Sequence, residues 1–140
     1  MSHRGVVAIL TNAARSKVLL QQKDANYAPH PRGYSFFGGA IDPGEDRDEA
    51  MVRELREELG EEATILPAPT FLWVDDVPPN PFRLAVYEIV VDDAVLVRLA
   101  ESPVLEGERA VLVDRSDLAS MDFIWGLAAV AERYLRDTQT

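Results

Sequence analysis

The chain has 140 residues, of which 47 % are hydrophobic and 27 % charged; this is the size and composition of one globular domain and excludes disordered and fibrous proteins. No cysteine is present, so disulfides, thiolate metal sites and cysteine nucleophiles are also excluded. The formal net charge of −10 argues against stable binding to nucleic acid, which needs a basic protein surface. No apolar run is long enough for a membrane span or a signal-peptide core, so we expect one cytoplasmic domain over residues 1–140.

The first third of the chain predicts short strands. Residues 5–10 and 17–22 are apolar runs of the kind that form buried strands. Residues 26–33 contain two prolines and a glycine and are predicted to form a loop. Residues 34–37 predict a short aromatic strand that leads into two consecutive glycines.

The middle of the chain predicts a helix with well-marked ends, over residues 46–59. Asp46 is placed to cap it, Glu49 completes a capping-box pattern, and Gly60 is suited to end it. Two short strand candidates follow at residues 63–66 and 71–75.

The last part of the chain predicts more strands and a closing helix. A proline-rich turn at residues 76–81 precedes the longest strand-like run, residues 82–91, and residues 110–113 are a further strand. Residues 122–136 predict an amphipathic helix capped by Asp122. The order of strands, helix, strands and helix predicts an α+β domain with a mixed sheet.

The central helix carries an unusual concentration of carboxylates. Between residues 42 and 62 there are ten carboxylates and three arginines, and Glu54, Glu57 and Glu58 share one helix face. An acidic run is by itself more typical of a solvated face, but like charges at these spacings repel by a few tenths of a kcal/mol per pair. Clustered carboxylates also suit Mg²⁺ or Mn²⁺, which prefer oxygen ligands. The adjoining apolar arc is predicted to pack against the sheet, through Met51, Val52, Leu55 and Leu59.

The loop before this helix strengthens the metal hypothesis. Gly38 and Gly39 precede a tight turn at residues 42–45, and such a loop can present main-chain carbonyls to a metal and N–H groups to a phosphate. The complete pattern resembles the Nudix box, with every fixed position filled across residues 39–61: Gly39-x5-Glu45-x7-Arg53-Glu54-Leu55-x-Glu57-Glu58-x-Gly60. Two neighbouring positions differ, because Glu61 stands where an apolar residue is usual and Phe37 where proline is common.

The resemblance implies a fold and an activity. Nudix hydrolases are α/β/α sandwiches with a mixed sheet, one catalytic helix and a C-terminal helix. They hydrolyse a diphosphate bond in nucleoside di- or triphosphate derivatives: water attacks phosphorus, and Mg²⁺ or Mn²⁺ neutralises the phosphates. The expected partner is therefore a small nucleotide derivative, and a homodimer stays open because many family members are dimeric.

The resemblance also assigns roles to residues of the box. The metal ligands would be Glu54, Glu57, Glu58 and the carbonyl of Gly38. Arg53 and Glu45 would brace these carboxylates, although an ordinary surface ion pair is the alternative for Arg53. The general base differs between family members, and Glu106 or Glu108 is favoured here as base or second-metal ligand; the alternative is an exposed acidic turn.

Substrate selection is expected outside the box. Tyr27, His30, Arg32 and Tyr34 lie in or beside the loop before the glycines, where they and Gly39 are candidates for substrate binding. Trp125 is expected to pack the C-terminal helix. ADP-ribose or a nucleotide sugar, on one side, and a normal or oxidised nucleoside triphosphate, on the other, remain open as substrates. A catalytically silent nucleotide-binding or sensor module is the other class of function, but the intact box carboxylates favour catalysis.

Overall fold

The structure, a computed structural model, describes residues 3–102 and 109–139. In this part of the chain seven strands form one mixed sheet and three α-helices pack on its faces. The strands are β1 His3–Thr11, β2 Lys17–Gln22, β3 Tyr34–Ser35, β4 Phe37–Ala40, β5 Thr70–Asp76, β6 Phe82–Val90 and β7 Arg109–Asp114. The α-helices are α1 Arg47–Leu59, α2 Asp93–Glu101 and α3 Ala128–Asp137, and 3₁₀ helices lie at Gly60–Ile65 and Arg115–Ser120. None of the helices described is long and apolar enough to cross a membrane.

Strand β1 is central in the sheet and pairs with three other strands. One edge of β1 pairs in parallel with β6 along its whole length. The other edge is shared, because residues 5–8 pair with β4 and residues 10–11 pair with β2, both antiparallel. Strands β2 and β4 therefore diverge from the same edge of β1. Strands β3 and β7 extend the sheet beyond β2, and β5 pairs with β6.

Alternation along the strands separates two buried layers. Val6, Ala8 and Leu10 of β1 face the layer formed by α1 and α2, while Val7 and Ile9 face α3. All five side chains are at most 5 % exposed. Helices thus cover both faces of the sheet, which confirms the predicted α+β sandwich.

Helix α1 forms where its local signals predicted it. The Asp46 side chain accepts a hydrogen bond from Glu49 N (2.8 Å), and the Glu49 side chain accepts one from Asp46 N (3.2 Å), so the capping box is complete. Gly60 ends the helix with a positive φ of 65°, which favours glycine. The packing face differs from the prediction at one position: Val52 is 43 % exposed, and Ala50 is buried against the sheet in its place.

Two other predictions of secondary structure need correction, and one helix has no counterpart in the predictions. The strand predicted at residues 63–66 is wrong, because a 3₁₀ helix occupies Gly60–Ile65. The last helix begins at Ala128 and not at Asp122, since residues 122–124 run beside β3, where Asp122 O accepts from Tyr34 N (2.8 Å). Helix α2 was not predicted at all; it packs Leu96 and Leu99 into the core.

Candidate active site

Two of the three box carboxylates on α1 are buried. Glu54 is 7 % exposed and Glu58 is 2 % exposed, whereas the Glu57 side chain is 46 % exposed. Glu54 and Glu58 lie one helical turn apart, on the side of α1 that packs towards β4. The packing of the apolar face of α1 therefore carries two carboxylates into the protein.

Glu58 joins the two strands that diverge from β1. One carboxylate oxygen, Oε1, accepts a hydrogen bond from Gly38 N on β4 (2.7 Å), and the other, Oε2, accepts from Gln21 Nε2 on β2 (2.9 Å). Burial raises the pKa of Glu58 to about 8; the two hydrogen bonds oppose this shift, and the negative charge of Glu54 adds to it. A nearby cation would favour the ionised form of this buried carboxylate and lower its pKa.

The two glycines of β4 are required by close approaches. A Cβ at Gly39 would lie 2.6 Å from Oε1 of Glu54, so glycine leaves the space that this carboxylate fills. A Cβ at Gly38 would lie 1.9 Å from the carbonyl oxygen of Val6. The backbone of β4 thus forms one wall of the carboxylate site.

Arg53 connects the loop to the helix. Its Nε and Nη2 atoms bind both oxygens of Glu45 (2.8 and 2.9 Å), and Nη2 also donates to the carbonyl of Ala40 (2.9 Å). Its Nη1 donates to Glu54 (3.0 Å) and Glu57 (3.2 Å). The guanidinium, with a hydrogen bond from Asp42 N, lowers the pKa of Glu45 to about 2. Arg53 therefore contacts Glu45, Glu54 and Glu57 at the same time, and its role as a brace stays a prediction.

The chemistry of this donor set fits a divalent cation. Among residues 3–102 and 109–139, no three Asp, Glu or His side chains already meet as a closed metal cage, and Glu54 and Glu57 both accept a hydrogen bond from Arg53. Glu54 and Glu58 nevertheless offer buried oxygen donors in a space that a Cβ at Gly39 would fill. Burying the negative charge of Glu58 costs free energy, which is why its pKa is raised, and a bound divalent cation would compensate that cost.

A cleft adjoins the carboxylate site at Gly38 and Gly39. Its walls include Tyr27, Asn80, Phe82, Ile124 and Trp125. The indole Nε1 of Trp125 donates to the hydroxyl of Tyr27 (2.9 Å), and Asn80 Oδ1 accepts from Phe82 N (2.9 Å). A largely apolar cleft with aromatic walls and a few fixed polar groups suits a planar, heteroatom-bearing ring.

A glycine sets the position of Trp125. Gly126 has a φ of +76°, and a Cβ there would lie 2.2 Å from the carbonyl oxygen of Val77. Trp125 itself has a φ of +48°, so the chain turns sharply before α3 begins. Trp125 consequently lines the cleft. The prediction that it belongs to the C-terminal helix is wrong, because α3 begins only at Ala128.

The remaining predicted substrate-binding residues are less central. His30 contacts the cleft wall, with its ring edge-on to Trp125 at 5.2 Å between centroids. Arg32 is exposed, and the hydroxyl of Tyr34 accepts from Gln22 Nε2 at 3.4 Å; neither residue lines the cleft. Glu106 and Glu108 lie outside the described residues, so their predicted role stays a prediction. Sequence reasoning missed Gln21, Lys23 and Asn80, which no motif marks.

Comparison with known proteins decides the family. The family model described as NUDIX domain matches residues 1–129. The chain belongs to the Nudix family. Solved structures agree on the fold: a chain from a study of MutT from Aliivibrio salmonicida and Vibrio cholerae has a TM-score of 0.72 and 21 % identity, covering 98 % of this chain and 99 % of that one. The Escherichia coli ORF135 protein has a TM-score of 0.63 and 22 % identity, covering 99 % and 93 %.

Curated Nudix relatives match over shorter regions. An uncharacterized Nudix hydrolase of Streptomyces coelicolor is 34 % identical over 105 residues, covering 72 % of this chain and 56 % of the relative. The CTP pyrophosphohydrolase of Escherichia coli is 47 % identical over 49 residues, covering 35 % and 36 %. The nucleoside triphosphatase NudI of Salmonella newport is 32 % identical over 77 residues, covering 55 % and 54 %. The matched region thus spans between about a third and just over half of each relative's length.

Proposed function

We propose that this chain is a Nudix hydrolase that cleaves a phosphoanhydride bond in a nucleoside triphosphate or a derivative of one, with the help of Mg²⁺ or Mn²⁺. The observation that carries the proposal is the buried pair Glu54 and Glu58, which lies against Gly38 and Gly39 where the aromatic cleft begins. The names of two relatives, a CTP pyrophosphohydrolase and a nucleoside triphosphatase, favour triphosphates over ADP-ribose or nucleotide sugars.

The arrangement suggests how a nucleotide would be bound. The base would occupy the cleft beside Tyr27 and Trp125, and the phosphates would then extend past the two glycines towards α1. Glu54, Glu57, Glu58 and the carbonyl of Gly38 would hold the cation. When bound, the cation would supply positive charge to the phosphate oxygens and lower the pKa of a water molecule.

The residues of the chain would then support a simple displacement. The oxygen of water forms a bond to phosphorus, the bridging P–O bond breaks, and phosphate or pyrophosphate leaves with the bridging oxygen. A carboxylate takes the proton from water, for which Glu106 and Glu108 stay the predicted candidates. Arg53 would hold Glu45, Glu54 and Glu57 in fixed positions while the charges redistribute.

A substrate panel tests the proposal directly. We expect turnover of one or a few nucleoside triphosphates, normal or oxidised, that requires Mg²⁺ or Mn²⁺ and exceeds turnover of ADP-ribose, nucleotide sugars and dinucleoside polyphosphates. Phosphate and pyrophosphate release would be measured with and without the metal. Nucleotides that raise the melting temperature without being turned over would instead support the nucleotide-binding module.

Two isosteric substitutions test the roles of the helix carboxylates. Glu57→Gln and Glu58→Gln remove a ligand charge while keeping the side-chain shape, so both should retain the fold and lose activity. Glu58→Gln also loses one of the two hydrogen bonds from Gly38 N and Gln21 Nε2, because its NH₂ group cannot accept one. The loss should exceed the roughly 10- to 100-fold that is typical when a residue only supports a ligand. Glu61→Gln, which removes the same charge just past the helix, should keep wild-type turnover. Full activity of both ligand variants would refute the assignment.

A further inference from the structure

Glu58 is the end of a hydrogen-bonded chain that begins at Lys23. Gln21 is fully buried on β2; its Nε2 donates to Glu58 Oε2 (2.9 Å), and its Oε1 accepts from Lys23 Nζ (2.8 Å). We propose that Lys23 and Gln21 are positioning residues that fix the carboxylate of Glu58 for cation binding. The proposal rests on the proposed function, because it assigns a purpose to the orientation of Glu58.

The chemistry of the amide explains why a lysine is needed. A glutamine side chain can present either its oxygen or its NH₂ group to a neighbour, and only the NH₂ group attracts a carboxylate. An ammonium has three donors and no acceptor, so it can bind only the amide oxygen. Lys23 therefore selects the orientation in which the NH₂ group of Gln21 points to Glu58.

The position of Lys23 is itself supported by the cleft wall. Its ammonium lies 5.3 Å from the ring centroid of Tyr27, a distance at which cation–π attraction operates. Lys23 and Gln21 are two residues apart on or just beyond β2, so their side chains leave the same face. Tyr27, Lys23 and Gln21 thus form a continuous path from the aromatic cleft to the carboxylate site.

The hydrogen-bonded chain from Lys23 through Gln21 to Glu58, called the relay below, matters because Glu58 lies between the diverging strands β2 and β4. Its Oε1 is bound by Gly38 on β4 and its Oε2 by Gln21 on β2, and these strands diverge from β1. Loss of the Gln21 bond would leave a flexible side chain tied to β4 alone. The carboxylate could then rotate away from Glu54, and a site shared by the two would be weakened.

Four variants separate positioning from a merely structural role. Gln21→Leu removes the donor, Lys23→Met removes the charge that orients the amide, and Lys23→Arg keeps a cation at that position. Lys17→Met is the matched control, since Lys17 is the other lysine of the chain, lies at the opposite end of β2, and pairs with Asp114 at an exposed position. Crystal structures, Mn²⁺ affinity and kcat with a nucleoside triphosphate would be measured for each.

The relay predicts a graded pattern. In Gln21→Leu the Glu58 carboxylate should keep its hydrogen bond from Gly38 N and rotate about it, away from Glu54. The Kd for Mn²⁺ should then rise about 10- to 100-fold, and kcat should fall with little change in KM. Lys23→Met should show the same changes to a smaller extent, and Lys23→Arg should restore most of them. Lys17→Met should match wild type in all three measurements.

An unchanged Glu58 position together with unchanged Mn²⁺ affinity in Gln21→Leu and Lys23→Met would overturn the relay and leave both residues structural. If Gln21→Leu does not fold, the comparison of Lys23→Met with Lys23→Arg decides, because Lys23 is only half-buried. Failure of the proposed function is a separate outcome, seen as a wild type that neither turns over nucleotides nor binds Mn²⁺. In that case the crystal structures still decide whether Lys23 and Gln21 orient Glu58.

Discussion

Gly39 brings the backbone of β4 into contact with a carboxylate, which makes it a sensitive single position. A methyl group there would lie 2.6 Å from Glu54 Oε1, and the atom that must move is the flexible end of a side chain. We therefore expect Gly39→Ala to change the melting temperature little while it displaces Glu54. Turnover and Mn²⁺ affinity should both fall, which enzyme assays and metal titration would measure.

Gly44→Ala is the matched variant for Gly39→Ala, and it should lower stability without affecting the site. Gly44 has a φ of +82° and no atom within 4 Å of its would-be Cβ, so alanine there strains the backbone without contacting a neighbour. The expected cost is about 1–2 kcal/mol, measured by urea unfolding. Suppose instead that Gly39→Ala is the less stable of the two variants and keeps full turnover. The close approach of Gly39 to Glu54 would then matter for folding and not for activity.

Only some residues of the candidate site could be predicted from the sequence. Glu54, Glu57, Glu58 and Arg53 were predictable because helix periodicity and motif spacing are local properties. Gln21, Asn80 and Trp125 meet the same site from β2, from the turn before β6 and from the segment before α3. Only the folded chain brings these segments together, so no local pattern marks their side chains as part of one site.

At the scale of elements, the capping box of α1 should be worth a measurable part of the stability. Asp46→Ala removes the acceptor for Glu49 N, and the loss of such a cap typically costs about 1 kcal/mol. For a domain of this size we expect the melting temperature to fall by about 3 °C. Asp92→Ala is the control, because Asp92 caps α2 without a side-chain hydrogen bond and should cost less. Equal losses in thermal melts of the two variants would show that the box adds nothing.

The difference between a strong and a weak helix cap also explains which helices could be predicted from the sequence. Helix α1 carries its start and stop signals within its own sequence, in Asp46, Glu49 and Gly60. Helix α2 has nine residues and a weak cap, so its pattern was too short to stand out. Residues 63–66 have strand-like composition but pair with no strand among the described residues, and a strand needs a partner to form.

At the scale of the whole molecule, one buried carboxylate ties three parts of the fold together. Glu88 on β6 binds Arg15, from the turn after β1, through two hydrogen bonds (2.7 and 3.0 Å), and it also accepts a hydrogen bond from the Tyr134 hydroxyl on α3. Burial alone would raise the pKa of Glu88. The hydrogen bonds from Arg15 and Tyr134 outweigh burial and hold the pKa below its ordinary value.

This lowered pKa predicts a specific loss of stability in acid. A carboxylate with a depressed pKa in the folded state stabilises the fold above its unfolded pKa of about 4.3, and this contribution disappears as the pH falls through the folded value. Glu88→Gln should therefore be less stable than wild type at pH 7, by on the order of 2 kcal/mol, because it lacks the charge-assisted bonds. The difference between the two proteins should shrink steadily below about pH 4.5.

Urea unfolding of both proteins between pH 7 and pH 3 measures this difference, since the other titrating groups are common to both and cancel. Glu132→Gln, an exposed substitution on α3, controls for the removal of one negative charge from a protein of net charge −10. Its free energy of unfolding should differ little from wild type at each pH, because exposed charges contribute little. A Glu88→Gln deficit that stayed constant down to pH 3 would mean that packing around the side chain, and not its charge, holds β6 and α3 together.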